Sequence, residues 1–234
     1  MDETQRRLID VLVATSGAGT ARIPTERELA RELSVNRATV REGLAALEML
    51  GLVRRTQGSG TYIDMPRASY VQLYFEMSVK LGRVSIAELQ QAREMIERTV
   101  VRQAALSATE EDIAALEGYV ERMLGCETFE EGDEADFEFH LQLVRATHNP
   151  VMSLLVEGLS SVLWDLLRHR RYLVRHSPEG FALTNRDHVP ILHAIKNRDP
   201  ERAVHAIDEH FRIWNEESRK AEKIVREVES EETA

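Results

Sequence analysis

One stretch of the chain, Ile23–Ile63, constrains the fold more than any other part of the sequence. The first predicted helix of this stretch begins at Thr25, a residue type that caps helices well. Two acidic residues follow in its first turn, where they suit the positive end of a helix. Residues 34–36 form a short break, after which leucine and valine recur at helical spacing until Gly51, a typical helix terminator. Two strand-like segments on either side of residues 57–60, which contain two glycines, predict a β-hairpin.

The order helix, turn, helix and hairpin is that of a winged helix-turn-helix, whose second helix enters the DNA major groove. Arg37 and Arg41 are one turn apart and share a face of that helix, and arginine can form two hydrogen bonds with guanine. Glycine in the hairpin turn lets the backbone approach DNA closely. The alternative is that the arginines only form a solvated helix face. The candidate DNA contacts are Arg27, Asn36, Arg37, Thr39, Arg41, Gln57 and Gly58.

The same stretch resembles the DNA-binding domain of GntR-family transcription regulators. It carries IPTERELA, LSVNRATVREGL, LEMLGLV and GSGTYI in the order of the family pattern. The segment GAGTARIP departs from the glycine turn and Pro-Gly that the family usually has before this motif, which affects the local loop and not the fold. The resemblance implies operator contacts at Arg27, Arg37, Thr39, Arg41 and the wing glycine Gly58, with Asn36 and Gln57 as weaker candidates.

The chain is long enough for two domains. Residues 1–64 complete the predicted winged domain, because apolar residues at helical spacing within residues 2–15 supply its first helix. Residues 65–70 form the predicted linker, and residues 71–228 show helical periodicity without a convincing strand. The predicted fold is mainly α: a winged helix-turn-helix of three helices and a β-hairpin wing, followed by an all-helical bundle.

Seven helices are predicted after the wing, with Ser85 and Thr109 as caps and residues 178–180 as a break. An all-helical domain of this length after a winged helix resembles the FCD class of GntR regulators. The helix count resembles its FadR-type subgroup. The resemblance implies a domain that binds an effector and forms dimers. The predicted helices are residues 70–82, 86–107, 110–126, 133–147, 151–171, 185–197 and 200–226.

The net charge of -10 is unevenly distributed. Residues 1–64 contain nine Lys and Arg and nine Asp and Glu, so all the excess negative charge lies in the remainder. A neutral DNA-reading domain gains little from non-specific attraction to phosphate. Specific binding would therefore depend on dimerisation and on a few well-placed arginines.

Composition and termini predict a cytoplasmic protein with no membrane partner. The sequence has no uncharged apolar stretch of about 18 residues, the length that a membrane-spanning helix needs. Acidic residues come early and no signal-peptide layout follows them. A single cysteine, Cys126, excludes an internal disulfide and suits a reducing compartment.

Asp136 and His140 lie four residues apart in a predicted helix and share a face with apolar neighbours. A carboxylate and an imidazole that point together form half a metal site, although a local hydrogen bond explains this pair alone better. His188 and His210 lie in register with apolar residues of two later helices, so both should face a core. Metal-binding FCD domains use an Asp and a His four apart and one His from each of the last two helices. The resemblance therefore implies the ligands Asp136, His140, His188 and His210.

Three imidazoles and one carboxylate suit zinc, the favoured cofactor, and also nickel, iron or manganese. In the family, the open coordination positions take water or an effector carboxylate. Arg93 matches an FCD arginine that reaches into the pocket, although an ion pair with Glu97, four residues later, is the alternative. Asn149 is a second effector-binding candidate, although an asparagine before a proline in a helix break needs no ligand.

The leading hypothesis is a ligand-responsive transcription regulator. A homodimer would bind a short inverted repeat in operator DNA through its winged domains and a small organic acid through the metal and Arg93. Repression relieved by ligand is the commoner mode in the family. Two alternatives stay open: a metal-dependent hydrolase that uses the same ligands to activate water, and a regulator whose metal only holds three helices together.

Overall fold

The chain divides into two compact units between Tyr70 and Val71. The first unit contains a two-stranded sheet, and the second is helical wherever it is described, so the predicted mainly α fold is confirmed. None of the described helices combines the length and the apolarity needed to span a bilayer. The computed structural model describes residues 3–17, 22–64, 67–166, 171 and 178–232.

The first unit has the predicted winged helix-turn-helix order. Its helices begin where the sequence supplies caps: Thr25 forms a capping box with Glu28, and the Asn36 side chain accepts the backbone N–H of Thr39. Ser34 ends the second helix in the left-handed conformation, with φ 57°, and this makes the tight turn. The elements are α1 (Glu3–Gly17), α2 (Glu26–Leu33), α3 (Arg37–Met49), β1 (Val53–Thr56) and β2 (Gly60–Ile63).

The wing is an antiparallel hairpin in which Val53 pairs with Ile63 and Thr56 with Gly60. Its first strand is tied to the helices because the Val53 side chain is buried among apolar residues of α1, α2 and α3. This shared core fixes the recognition helix α3 against the hairpin. The buried core residues are Leu8, Leu12, Ile23, Leu29, Ala30, Leu33, Val40, Leu44, Leu47 and Val53.

Gly51 joins α3 to the wing and has a positive φ of 72°, where residues with a side chain are strained. A Cβ at this position would also lie 2.2 Å from the Tyr70 ring. The Tyr70 hydroxyl donates to the backbone carbonyl of Glu48 at 3.1 Å, which holds the ring over the turn. The turn therefore requires glycine for both its backbone angle and its packing.

The second unit is built from eight described helices. Ser85 and Thr109 act as caps, as predicted, and each forms a capping box, with Glu88 and Asp112 respectively. The helices are α4 (Ala68–Lys80), α5 (Ile86–Ser107), α6 (Glu110–Gly125), α7 (Phe129–Arg145), α8 (Pro150–Leu166), α9 (Pro178–Arg186), α10 (His188–Lys196) and α11 (Pro200–Glu232).

Four sequence-based details are wrong. The expected break at residues 178–180 begins α9, because proline is well tolerated in the first turn of a helix. The described residues after the hairpin therefore hold eight helices and not seven, which removes the reason for the FadR-type subgroup. α7 starts earlier than predicted because Thr128 caps it, and α11 continues to Glu232. The predicted end of α8 at Arg171 cannot be compared, since residues 167–170 lie outside the described residues.

The main core of the second unit lies between α5, α6, α7, α10 and α11. α5 runs through the middle and contacts α7, α10 and α11, so it brings polar residues of several helices close to one point. A smaller apolar cluster joins α4, α5 and α8 around Leu89, Leu159, Val162 and Leu163. The candidate site lies where these helices meet.

Candidate metal centre and DNA-binding surface

Three histidines from three helices meet inside the second unit. His140 lies on α7, His188 begins α10 and His210 lies on α11. All three are buried, and one ligand atom from each lies within 4.8 Å of the others. The rings face inward because each histidine belongs to the buried stripe of its own helix, as Ile191 and Ile195 show on α10.

Asp136, the fourth predicted ligand, lies one turn before His140 on α7. Its Oδ1 is 3.0 Å from Nε2 of His188, so its carboxylate reaches across to a different helix. The three imidazoles form the tight group, and Asp136 joins it through His188. Asp136 therefore lies beside the histidine group, in contact with His188.

Two carboxylates that the sequence analysis did not select hold the outer side of the histidine rings. Glu97 on α5 is fully buried and its Oε2 lies 2.6 Å from Nδ1 of His140. Asp187 lies 3.0 Å from Nδ1 of His188 through Oδ1 and 3.1 Å from Nδ1 of His210 through Oδ2. Carboxylates in this position orient metal-binding histidines and raise their basicity. Nε2 of His188 contacts Asp136 on the other side of its ring.

The cluster suits a divalent cation. Both Asp187 oxygens, both His188 nitrogens and His210 Nδ1 are buried and have no hydrogen bond of good geometry among the described residues, although their separations from one another are short. Two atoms bound to one zinc ion lie at most about 4.2 Å apart, twice the usual Zn–N distance. The observed limit of 4.8 Å therefore requires only a small inward shift of the side chains. The set of imidazole and carboxylate donors fits zinc, nickel, iron or manganese.

The electrostatics of the cluster favour positive charge at its centre. Burial alone would lower the pKa of His188, but the Asp187 and Asp136 carboxylates outweigh burial and raise this pKa to about 10. Burial would raise the pKa of Asp187, yet the neighbouring His210 and His188 hold it at about 2. The carboxylates remain ionised and so attract a proton or a metal cation to the imidazoles.

Glu97 is ionised for a related reason. Its burial would raise the pKa, but Arg93 and His140 lower it to about 2. Burial also lowers the pKa of His140, although the Glu97 charge opposes that effect. A lowered pKa favours the neutral imidazole, which is the form that binds a metal.

A cavity of about 40 Å³ opens beside the cluster. This volume is below the usual range for small-molecule sites, so a bound acid would require the cavity to widen. Arg93 lines the cavity and also donates through Nε to Glu97 Oε1 at 2.5 Å, so the ion pair that was the alternative explanation of this arginine is present. Asp136, His140 and His210 line the same space. Three of the four candidate metal ligands and a cationic side chain therefore line one cavity.

Asn149, the second predicted effector contact, is not among the residues that line this cavity. Its side chain is exposed, and its oxygen accepts the backbone N–H groups of Val151 and Met152 at the start of α8. These contacts are those of a helix cap and explain the residue without a ligand.

The other described histidines lie away from the cluster. His148, His193 and His205 are exposed. His148 contacts Asp112 through Nε2 at 3.0 Å. His169 and His176 lie outside the described residues.

The candidate DNA-binding residues lie on the surface of the winged unit. Arg37 and Arg41 project from the first turns of α3, and about 60% of each side chain is exposed, at 62% and 60%. Glu26 of α2 lies 3.6 Å from the Arg37 guanidinium and 3.3 Å from that of Arg41, and the two arginines lower the pKa of Glu26, chiefly through its hydrogen bond with Arg41. Glu26, which the sequence analysis did not select, holds the two arginines side by side.

The remaining candidates surround this pair. The oxygen of Asn36 is used as a cap for Thr39, so the amide nitrogen of Asn36 is the end available to DNA. Arg27 is exposed at the start of α2, and Gln57 and Gly58 are exposed in the hairpin turn. Among the described residues, no atom lies within 4 Å of a Cβ built on Gly58, so the turn has space for a partner.

Three residues of these sites were not selected from the sequence. Glu97 was considered in the sequence only as an ion-pair partner of Arg93, and its contact with His140 spans 43 residues. Asp187 directly precedes His188, and this Asp-His pair was a sequence signal that could have identified it. Glu26 carries no signal beyond its place in the first turn of α2.

Comparisons with known proteins agree with this architecture. Residues 2–63 match the model for bacterial regulatory proteins of the gntR family, and residues 88–213 match the FCD domain. The Uxu operon regulator of Haemophilus influenzae is 35% identical over 196 residues, which cover 81% of this chain and 71% of that protein. The HTH-type transcriptional repressor NanR of Salmonella schwarzengrund is 29% identical over 212 residues, covering 86% and 79% respectively.

A solved structure shows the same fold. The Streptococcus agalactiae GntR structure superimposes with a TM-score of 0.69 at 24% identity, covering 90% of this chain and 96% of that one. The two family models together span both units. The chain therefore belongs to the GntR family of bacterial regulatory proteins, carries an FCD domain, and is a DNA-binding transcription regulator rather than an enzyme.

Proposed function

We propose that this regulator senses a small organic acid in its FCD domain and releases operator DNA when the acid binds. One observation carries the proposal: Asp136, His140 and His210 face the same cavity as Arg93. A cavity that combines metal-type donors with a guanidinium is suited to an anion.

The proposed metal ligands are Asp136, His140, His188 and His210. A divalent cation held by these residues would supply positive charge and coordination positions that a carboxylate can occupy. Glu97 and Asp187 would hold the rings in the required orientation. Zinc is the favoured metal, because imidazole nitrogen and carboxylate oxygen are among its usual protein ligands.

Arg93 is placed to bind the acid directly. Its guanidinium already donates through Nε to Glu97, and its side chain lines the cavity. The other guanidinium N–H groups remain suited to a carboxylate, which arginine binds in a planar, two-bonded arrangement. The contact with Glu97 would keep Arg93 in place before the effector arrives.

Repression is the proposed mode, as the name of the relative NanR states for that protein. An effector can weaken DNA binding only if it binds the DNA-free state more tightly than the DNA-bound state. Reciprocally, operator DNA should then lower the affinity for the effector by the same factor.

The regulator is proposed to act as a homodimer on a short inverted repeat. α4 has no buried residue among those described, and apolar side chains follow one of its faces. Leu73, Met77 and Leu81 recur every four residues and are 55%, 45% and 66% exposed. Exposed apolar patches of this kind usually mark an interface, and a second copy of the chain is the proposed partner.

Replacing Met77 with glutamate should raise the dimer dissociation constant at least about tenfold, since a charge would be buried in the proposed interface. Sedimentation equilibrium measures this change. Met95→Glu is the matched control, because Met95 is an exposed methionine on α5, at 65%. Equal dissociation constants for the two variants would contradict the assignment of this face.

Arg93→Ala should weaken effector binding by about tenfold or more, the value expected for a lost charge-assisted hydrogen bond. Zinc-loaded protein is titrated calorimetrically with lactate, succinate, adipate and D-glucarate. Each acid that binds is then tested for release of fluorescent operator DNA. Arg98→Ala is the control, because Arg98 lies on the same helix and pairs with Asp208 at the surface.

This experiment separates sensing from a purely structural metal. If the metal only holds helices together, chelation lowers the melting temperature while effector affinity stays the same in Arg93→Ala. Metal content and circular dichroism of each variant show whether the site and the fold are preserved. Failure of every acid to bind the metal-loaded protein would reject the sensing proposal.

A further inference from the structure

We propose that Arg55 is a positioning residue that fixes the wing against the recognition helix α3, so that the two elements meet DNA as one rigid surface. Glu48 is its partner on α3. The proposal concerns DNA binding and is independent of the metal and of the effector. Its basis is three contacts between β1 and α3, which join Arg55 to Glu48 and to the carbonyl of Arg41.

Arg55 joins the strand to the helix through both its side chain and its backbone. Its Nη2 donates to the carbonyl oxygen of Arg41 at 3.1 Å, and its Nε lies 3.3 Å from Glu48 Oε2. Its backbone N–H donates to the other carboxylate oxygen, Glu48 Oε1, at 3.3 Å. A guanidinium is planar and holds its donors at fixed angles. These contacts therefore set the angle of the strand as well as its distance from α3.

Arg55 lies where the hairpin leaves the core of the winged unit. Val53, two residues earlier on the same face of β1, is buried in that core and anchors the base of the hairpin. The other strand is tied to a different segment, because Ile23 donates its backbone N–H to the carbonyl of Thr61 at 3.0 Å. Arg55 supplies a second anchor to α3, nearer to the turn at residues 57–59 that is predicted to contact DNA.

The pair is too exposed to act mainly as a source of folding stability. The side chains of Arg55 and Glu48 are 31% and 40% exposed. Water and salt screen an ion pair with this exposure, so it adds little to the stability of the fold. Holding the wing in place before DNA arrives has a larger effect on binding, because the wing then loses less freedom in the complex.

Glu48→Ala tests the proposal because electrostatics and positioning predict opposite results. If only charge mattered, loss of a carboxylate from the DNA-binding unit would strengthen binding to phosphate. If Glu48 holds Arg55 and the wing, this variant should bind operator about fivefold more weakly than the native protein at fixed salt. Fluorescence anisotropy measures the affinity, on an operator that the native protein selects from random DNA. Glu32→Ala is the matched control, because Glu32 is an exposed acidic residue of the same unit, and its affinity should stay the same or rise.

Arg55→Lys separates positioning from simple attraction to phosphate. Lysine keeps the charge but lacks the planar set of donors that reaches Glu48 and the Arg41 carbonyl together. This variant should therefore also bind operator about fivefold more weakly, with an unchanged dependence of affinity on salt. The melting temperature should stay within about 2 °C of the native value in both variants, because the pair adds little to folding stability.

Footprinting gives a result that a purely structural role would not produce. Hydroxyl radicals are applied to operator DNA that is saturated with Glu48→Ala or Arg55→Lys. Protection should be lost from the DNA beside each half-site, where the wing is predicted to lie, and retained where α3 enters the major groove. General weakening of the fold would instead reduce protection at both places.

Three results would overturn the proposal. Native or tighter operator binding by Glu48→Ala would show that this carboxylate acts only through its charge. Native affinity of Arg55→Lys would show that Arg55 serves as a cation toward phosphate. A melting temperature lowered by more than about 5 °C, with protection reduced at both places, would assign the pair to folding.

Discussion

Alanine at both Arg37 and Arg41 should reduce operator affinity at least about 100-fold without unfolding the protein. Each arginine that reads a guanine contributes about 1–3 kcal/mol of discrimination, so two per subunit account for this loss. Both side chains are more than half exposed and contact Glu26 at the surface, so the fold should be unaffected. Fluorescence anisotropy at fixed salt measures the affinity, on an operator that the native protein selects from random DNA.

The control for this prediction is Arg102→Ala. Arg102 is an arginine of the helical unit that pairs with Glu201 at the surface. The Arg102→Ala variant also removes an arginine charge, but from the helical unit and not from the winged unit. Operator affinity should therefore change less than about twofold. Operator binding by the double variant within about threefold of native would show that α3 does not read the DNA through these two side chains.

Removal of the metal should produce the largest loss of stability. A metal present at 1,000 times its dissociation constant stabilises the folded state by about 4 kcal/mol. For a unit of this size, that corresponds to a fall of about 8–16 °C in melting temperature. Dialysis against a chelator followed by thermal unfolding measures the fall, and elemental analysis should find about one equivalent of metal before dialysis. Adding zinc back should restore both the melting temperature and the metal content.

Single histidine variants show whether the effect belongs to the cluster. His188→Ala should contain no metal and should not respond to added zinc. His193→Ala is the matched control, because His193 lies on the same helix with its side chain exposed, and it should behave as native. No metal in the native protein, even after zinc or nickel is added, would reject the coordination model. The histidines would then be buried polar partners of Asp187 and Glu97.

The sequence predicted correctly those features that depend on neighbours within a few residues. Thr25, Ser85 and Thr109 begin helices because a capping side chain acts on backbone groups within the next turn. The prediction of a break at residues 178–180 was wrong although it also rested on local signals. A proline can mark the start of a helix as readily as a break, and its neighbours did not distinguish the two. The mainly α fold and the hairpin wing followed from such local signals.

The candidate site was partly readable from the sequence. His140, His188 and His210 could be selected because each lies in register with apolar residues of its helix, and buried stripes of a bundle face one another. The family resemblance supplied the set of four ligands. Neither source indicated Glu97 as the partner of His140, because the two residues are far apart in the chain.

By itself, the sequence determined the helices, the hairpin, and which side chains face a core, because these depend on spacing, caps and turns. Only the tertiary structure decided which buried polar groups meet. It placed Glu97 against His140 and Asp187 between two histidines, and it left Gln90 Oε1 and Ser160 Oγ without a hydrogen-bond partner among the described residues. The physical reason is that these contacts join different helices, and their distances depend on how the helices pack rather than on the residues beside them in the chain.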